Sequence, residues 1–128
     1  MVTDVHQGIM ISVSTDYRDD YSIPGQNHYL FSYNISIKNT NDFPVQLLRR
    51  HWYIKDSVGE NREVEGEGIV GEQPLLYPGE SHTYQSACNL KTDFGAMKGT
   101  YLFKNMETED YFNARIPEFQ MSVPHRMN

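Results

Sequence analysis

From residue 28 to residue 38 the chain alternates without a break. Tyr29, Phe31, Tyr33, Ile35 and Ile37 fall on one side, and Ser32, Asn34, Ser36 and Lys38 on the other. A period of two held over this length excludes a helix and specifies a strand with one apolar face. The same pattern recurs along the chain. In residues 8–15, Ile9, Ile11 and Val13 oppose Met10, Ser12 and Ser14, and in residues 81–89, His82, Tyr84, Ser86 and Cys88 oppose Thr83, Gln85 and Ala87. Residues 45–56, 62–65, 99–104 and 111–123 complete a set of seven strand-like runs. Between them lie turn-forming stretches: polar residues 16–27, Asn39 to Pro44, residues 57–61, the glycine-rich residues 66–78, residues 91–99 and the acidic residues 105–110. Pro117 cannot donate to a ladder and marks an edge or a bulge in the last strand. Seven short strands and no amphipathic helical window predict one domain across residues 1–128. The expected fold is all-β, an antiparallel β-sandwich of immunoglobulin or fibronectin III type.

One position resists this pattern. Parity puts Leu48, Arg50, Trp52 and Ile54 on one face of residues 45–56, and Leu47, Arg49, His51 and Tyr53 on the other. Trp52 reads as core, and a buried guanidinium beside it needs a partner. Either a bulge shifts the register near residues 49–51, or Arg50 stands at the end of the sheet against an acidic group.

The 128 residues carry 11 lysines and arginines against 17 aspartates and glutamates, a net charge of −6. That balance opposes a nucleic-acid binder, which neutralises phosphates with a basic surface, and a polybasic membrane-surface protein. No apolar run approaches the roughly 20 residues of a membrane-spanning helix. The single cysteine, Cys88, excludes an internal disulfide and favours a reducing, cytoplasmic setting. The first residues carry no basic and apolar secretion signal.

The stretches Pro44-Val-Gln-Leu-Leu-Arg-Arg-His-Trp52, Glu63-Val-Glu-Gly-Glu-Gly-Ile-Val-Gly-Glu-Gln-Pro74, Pro78-Gly-Glu80 and Gly95-Ala-Met-Lys-Gly-Thr-Tyr101 resemble the ApaG family, also called the DUF525 domain. Residues 29–39 and Ile116-Pro-Glu-Phe119 fit as well. The likeness spans nearly the whole chain, and is weaker in residues 1–28, 88–94 and 102–111. It implies a fibronectin III-like sandwich in a small bacterial protein. Bacterial members are linked genetically to cobalt resistance and magnesium efflux. Similar domains occur in an F-box protein and a DNA-polymerase-interacting protein of eukaryotes, where they are supposed to bind proteins. The resemblance carries over no catalytic residue.

Two candidate sites follow from the residues. Gly66-Glu-Gly-Ile-Val-Gly71 satisfies the G-x-G-x-x-G pattern that opens a phosphate-binding helix in dinucleotide folds. Pro74 and Pro78 forbid such a helix here, and Glu65, Glu67 and Glu72 would repel a polyphosphate. The loop, with Gly66, Gly68, Gly71, Glu72 and Gln73, reads as scaffold, as a nest of amides for an anion, or as a docking surface. Arg49, Arg50 and His51 beside Trp52 offer a cationic, aromatic partner surface, or simply strand packing. His6, His28, His51, His82 and His125 stand singly, without metal-ligand spacing, so no metal site is assigned. Ser81 and His82 point to opposite faces of a strand and cannot form a relay. Cys88 reads as a buried apolar residue. No cofactor is implied. The expectation is a non-enzymatic module that binds an unidentified protein partner, with homodimerisation through edge strands as an option. The alternatives are phosphate, pyrophosphate or nucleotide binding at residues 66–71, and direct binding of a divalent metal.

Overall fold

The computed structural model describes residues 1–57 and 60–124. Among them nine strands form two antiparallel sheets packed face to face. The first sheet runs β1 (Val2–His6), β2 (Ile9–Tyr17), β3 (Tyr29–Asn39), β7 (Ser81–Leu90). The second runs β5 (Asn61–Glu67), β4 (Val45–Asp56), β8 (Phe94–Asn105), β9 (Tyr111–Ser122), and the two-residue β6 (Leu75–Leu76) pairs with the start of β4. This is an antiparallel β-sandwich with β1 added outside β2.

The alternation read in β2 and β3 is the core itself. Ile9, Ile11, Val13, Phe31, Ile35 and Ile37 are essentially inaccessible to solvent. Each such side chain contributes about 1.5–3 kcal/mol by leaving water. They meet Leu47, Trp52, Tyr101, Phe103, Ile116 and Met121 of the facing sheet. Trp52 packs edge-on against Tyr101 and Phe119, with ring centroids 6.3 and 5.9 Å away, an arrangement the aromatic quadrupole favours.

Four local expectations need correction. Two strands, β1 and β6, extend the expected seven to nine. β1 reverses into β2 through Gln7 and Gly8, both with positive φ (56° and 72°), the geometry of a two-residue hairpin turn. Its far edge is tied to β9: Arg115 Nε donates to Asp4 Oδ2 at 3.0 Å, and the Arg115 amide to His6 Nδ1 at 2.9 Å. β8 begins at Phe94, so residues 94–98 are strand rather than loop. Gly95 and Gly99 are close-approach glycines, since a Cβ there would lie 2.6 Å from the Lys55 carbonyl and 2.1 Å from that of His51. β5 likewise continues through Gly66 to Glu67.

Finally, the bulge in β4 lies at Leu48, where the register with β8 shifts between Leu47 and Arg49. One extra residue inverts the parity, so Leu47 and Trp52 are both buried. Pro117 does mark a bulge on an edge strand: Pro117 and Glu118 together oppose Lys98. The expected hairpin at residues 57–61 and the histidine at 125 fall partly or wholly outside the described residues.

Candidate functional site

The bulge at Leu48 and the glycine-rich turn form one structure. The bulge interrupts the β4–β8 ladder and, at the opposite edge of β4, turns both the Leu47 amide and the Leu48 carbonyl toward residues 66–74. Here the Leu48 carbonyl accepts from the Gly68 amide at 2.7 Å and from Gln73 Nε2 at 3.0 Å. Gln46 Nε2 returns a bond to the Gln73 carbonyl at 3.1 Å. Gly68 holds φ +61°, and a Cβ on it would sit 2.2 Å from the Glu72 carbonyl. Ile69 and Glu72 exchange amide–carbonyl bonds of 2.8 and 2.9 Å around a two-residue tip, Val70-Gly71. Both tip residues have positive φ, 46° and 78°. The G-x-G-x-x-G pattern is therefore a hairpin turn and not a helix start. Its Gly68, Ile69 and Glu72 amides already donate to carbonyls, so a phosphate here would compete with three backbone bonds.

Arg50 lies beneath this turn. It faces inward with Trp52, as parity after the bulge requires, and is half-buried. Its partners are carbonyls, not an acid: Nη1 donates to Glu67 O at 3.0 Å and to Gly68 O at 3.1 Å. Gly66 is the residue its guanidinium rests against, since a Cβ there would meet Nη1 at 2.8 Å. Arg49 is exposed on the opposite face. His51, on that same outer face, has its two ring nitrogens 3.1 Å from Glu63 and 3.0 Å from Glu65, and stacks on Tyr53 with centroids 4.4 Å apart. The structure thus brings Arg50, Gly66, Gly68 and Gln73 together. Arg49 and His51 stand on the other side of β4, and Gly71 and Glu72 at the turn, where Glu72 lies 3.6 Å from His82.

Between β5 and β7 the two sheets part, leaving a cleft of about 350 Å³. Trp52, Ile54 and Met97 form its floor, Arg62 and Val64 one wall, and Tyr84, Ser86 and Cys88 the other, with Arg50, Ile69 and Val70 at one end. Arg62 Nη2 crosses the mouth to the Asn89 carbonyl at 2.7 Å and the Cys88 Sγ at 3.3 Å. Under the cleft, the hydroxyls of Tyr84 and Tyr101 share a short hydrogen bond. Burial pushes the phenols of Tyr33, Tyr84 and Tyr101 above their ordinary range, because a phenolate there would lose its water. Burial also raises the Cys88 thiol, against the opposing pull of Arg62, which leaves it a poor nucleophile. Sequence parity gave no sign of this cleft, because it arises from which strands are neighbours. Among the described residues, no three His, Cys, Asp or Glu side chains gather in a metal-holding arrangement.

Comparison with known proteins agrees with this architecture. A family model described as the ApaG domain (DUF525) matches residues 19–105. The chain is 44% identical over 127 residues to the protein ApaG of Paramagnetospirillum magneticum, covering 98% of this chain and 95% of the relative. It is 46% identical over 126 residues to that of Nitrosomonas eutropha, covering 97% of each. The crystal structure of a protein described as ApaA from Bordetella pertussis superposes with a TM-score of 0.87 at 40% identity, covering 95% of both chains. A protein from Archaeoglobus fulgidus shares the fold alone, with a TM-score of 0.52 at 8% identity, covering 88% of this chain and 95% of that one.

Proposed function

The chain belongs to the ApaG (DUF525) family, and from that premise we propose that it is a non-enzymatic accessory protein that works by binding another protein. The docking surface is the side of the sandwich where the residue 66–73 turn, Arg50 and the β5–β7 cleft meet. The observation that carries this reading is Val70. It is 65% exposed, at the tip of the turn, with φ +46°. A β-branched residue in that region is strained, and turns of this kind strongly prefer asparagine or glycine. Strain and exposed apolar surface are kept together where a partner uses them. Three backbone hydrogen bonds, the Gln73 side chain and Arg50 hold the tip in place. A rigid, apolar tip suits recognition, because little entropy is lost on binding.

The family's genetic link to cobalt resistance and magnesium efflux is read here as the effect of a bound partner in the cytoplasm. The test sets small ligands against a partner. Thermal unfolding of the purified protein is measured with pyrophosphate, nucleotides, Mg²⁺ and Co²⁺, beside capture from native lysate under crosslinking. A ligand present at about 100 times its Kd stabilises by roughly 2.7 kcal/mol. The expected result is no shift with any of the four and a discrete crosslinked protein. A clear shift with pyrophosphate and no captured protein would overturn the reading in favour of an anion site.

A further inference from the structure

The cleft differs from the rest of this acidic chain in its charge. The net charge is −6, yet the cleft is lined by Arg50 and Arg62 and by no carboxylate among the described residues. Beside it runs an open sheet edge. β7 pairs with β3 over ten residues in unbroken register, from Tyr29↔Leu90 to Lys38↔Ser81, and no described strand pairs its other side. The Asn39 amide donates to the Glu80 carbonyl, whereas Arg62 reaches the Asn89 carbonyl from the β5 side. Alternation along an antiparallel ladder then turns the N–H and C=O groups of Ser81, Thr83, Gln85, Ala87 and Asn89 outward.

Proteins blunt such edges with charge, proline or bulges. β5 follows that rule, with Arg62, Glu63, Glu65 and Glu67. β7, Ser-His-Thr-Tyr-Gln-Ser-Ala-Cys-Asn-Leu, carries no Lys, Arg, Asp, Glu or proline and no bulge. Among the described residues, Asn89 at one end is covered by Arg62, and at the other end Glu72 lies 3.6 Å from His82. An edge left unprotected beside an apolar, cationic cleft is built to receive a strand.

We infer that β7 accepts an extended peptide as an added strand along Ser81 to Ala87, with apolar side chains in the cleft and a carboxylate against Arg62. Successive side chains of a strand face opposite sides, so the partner is an extended segment whose cleft-facing set, every second residue, is apolar except for an acidic residue beside Arg62. This recognition mode draws affinity from main-chain bonds and specificity from alternate side chains. A second copy of this chain fits less well, because its own unprotected edge lies beside another cationic cleft. The inference rests on the protein-binding reading above and assigns it a partner class.

The test uses the ¹⁵N-labelled protein with an octapeptide that alternates valine with threonine and carries glutamate at the first and last of the valine positions, and the same peptide with lysine at those two positions as control. Amide hydrogen exchange at Thr83, Gln85 and Ala87 is expected to slow about tenfold or more with the glutamate peptide. The neighbouring Tyr84, Ser86 and Cys88 amides, already bonded to β3, stay unchanged. The effect is absent with the lysine peptide and is abolished by Arg62→Glu. That variant's fold is verified by the amide spectrum, with Arg62→Gln as a milder second variant of intermediate effect. No slowing at those three amides, equal slowing by both peptides, or slowing without peptide that grows with protein concentration would each overturn the inference. Photo-crosslinking from position 70 separates it from its parent. Partner adducts that persist in Arg62→Glu would sink strand addition and leave protein binding standing, whereas no adducts at all would sink both.

Discussion

At the scale of single residues, the turn at 68–73 makes three opposed demands. Gly68 needs both a positive φ and the absence of a Cβ, because the Glu72 carbonyl lies 2.2 Å from where that atom would be. Gly71 needs only the positive φ, since a Cβ there meets nothing within 4 Å. Val70 has the φ and pays strain for its branched side chain. Gly68→Ala should therefore cost roughly 2–3 kcal/mol in denaturant unfolding, and Gly71→Asn less than about 0.5. Val70→Asn should instead stabilise by about 0.5–1 kcal/mol, because asparagine tolerates the left-handed region. Equal losses for Gly68→Ala and Gly71→Asn would show that the close approach is not what fixes the turn. The three glycines were legible as a motif, but their separate reasons were not. Spacing cannot tell a glycine chosen for φ from one chosen because a guanidinium lies over it, as Arg50 does over Gly66.

At the scale of elements, the bulge in β4 and the turn after β5 depend on each other. The extra residue at Leu48 inverts the hydrogen-bonding sense of β4, so that the Leu48 carbonyl faces away from β8 and meets the Gly68 amide and Gln73 Nε2. Removing the side-chain half by Gln73→Ala should cost about 1 kcal/mol, with the m-value unchanged. A neutral substitution would mean that water serves Leu48 equally well. The long alternating strands β2, β3 and β7 could be read directly, because burial of one face imposes period two. β1 could not, being short and half-buried, with its polar Asp4 and His6 committed to β9. The first half of β8 was hidden by Gly95 and Gly99, which look like turn residues and serve close packing. The conflict at Arg50 was visible from parity. Its resolution by the Glu67 and Gly68 carbonyls was not, because a backbone acceptor leaves no mark in a sequence.

At the scale of the whole molecule, the two sides of the sandwich close differently. β1 and β9 are tied by Arg115, whereas β5 and β7 are joined across the cleft mouth by Arg62. The tyrosines beneath the cleft report on this closure. Tyr33, Tyr84 and Tyr101 all have raised pKa values from burial. Below about pH 10 folded and unfolded chains both hold these protons; above it the unfolded chain ionises first, so stability falls as pH rises. Absorbance titration should show these three phenols ionising only as the fold is lost, in one cooperative step. Smooth ionisation of all nine tyrosines within an intact fold would contradict the buried pair.

The central claim is that the β5–β7 side binds a protein. It is tested most directly by placing a photo-crosslinking residue at position 70, on the turn, or at position 3, on β1 at the opposite side, in cells that make the protein. The account predicts a discrete protein adduct from position 70 and none from position 3. Adducts of equal yield from both positions, or from neither, would contradict it.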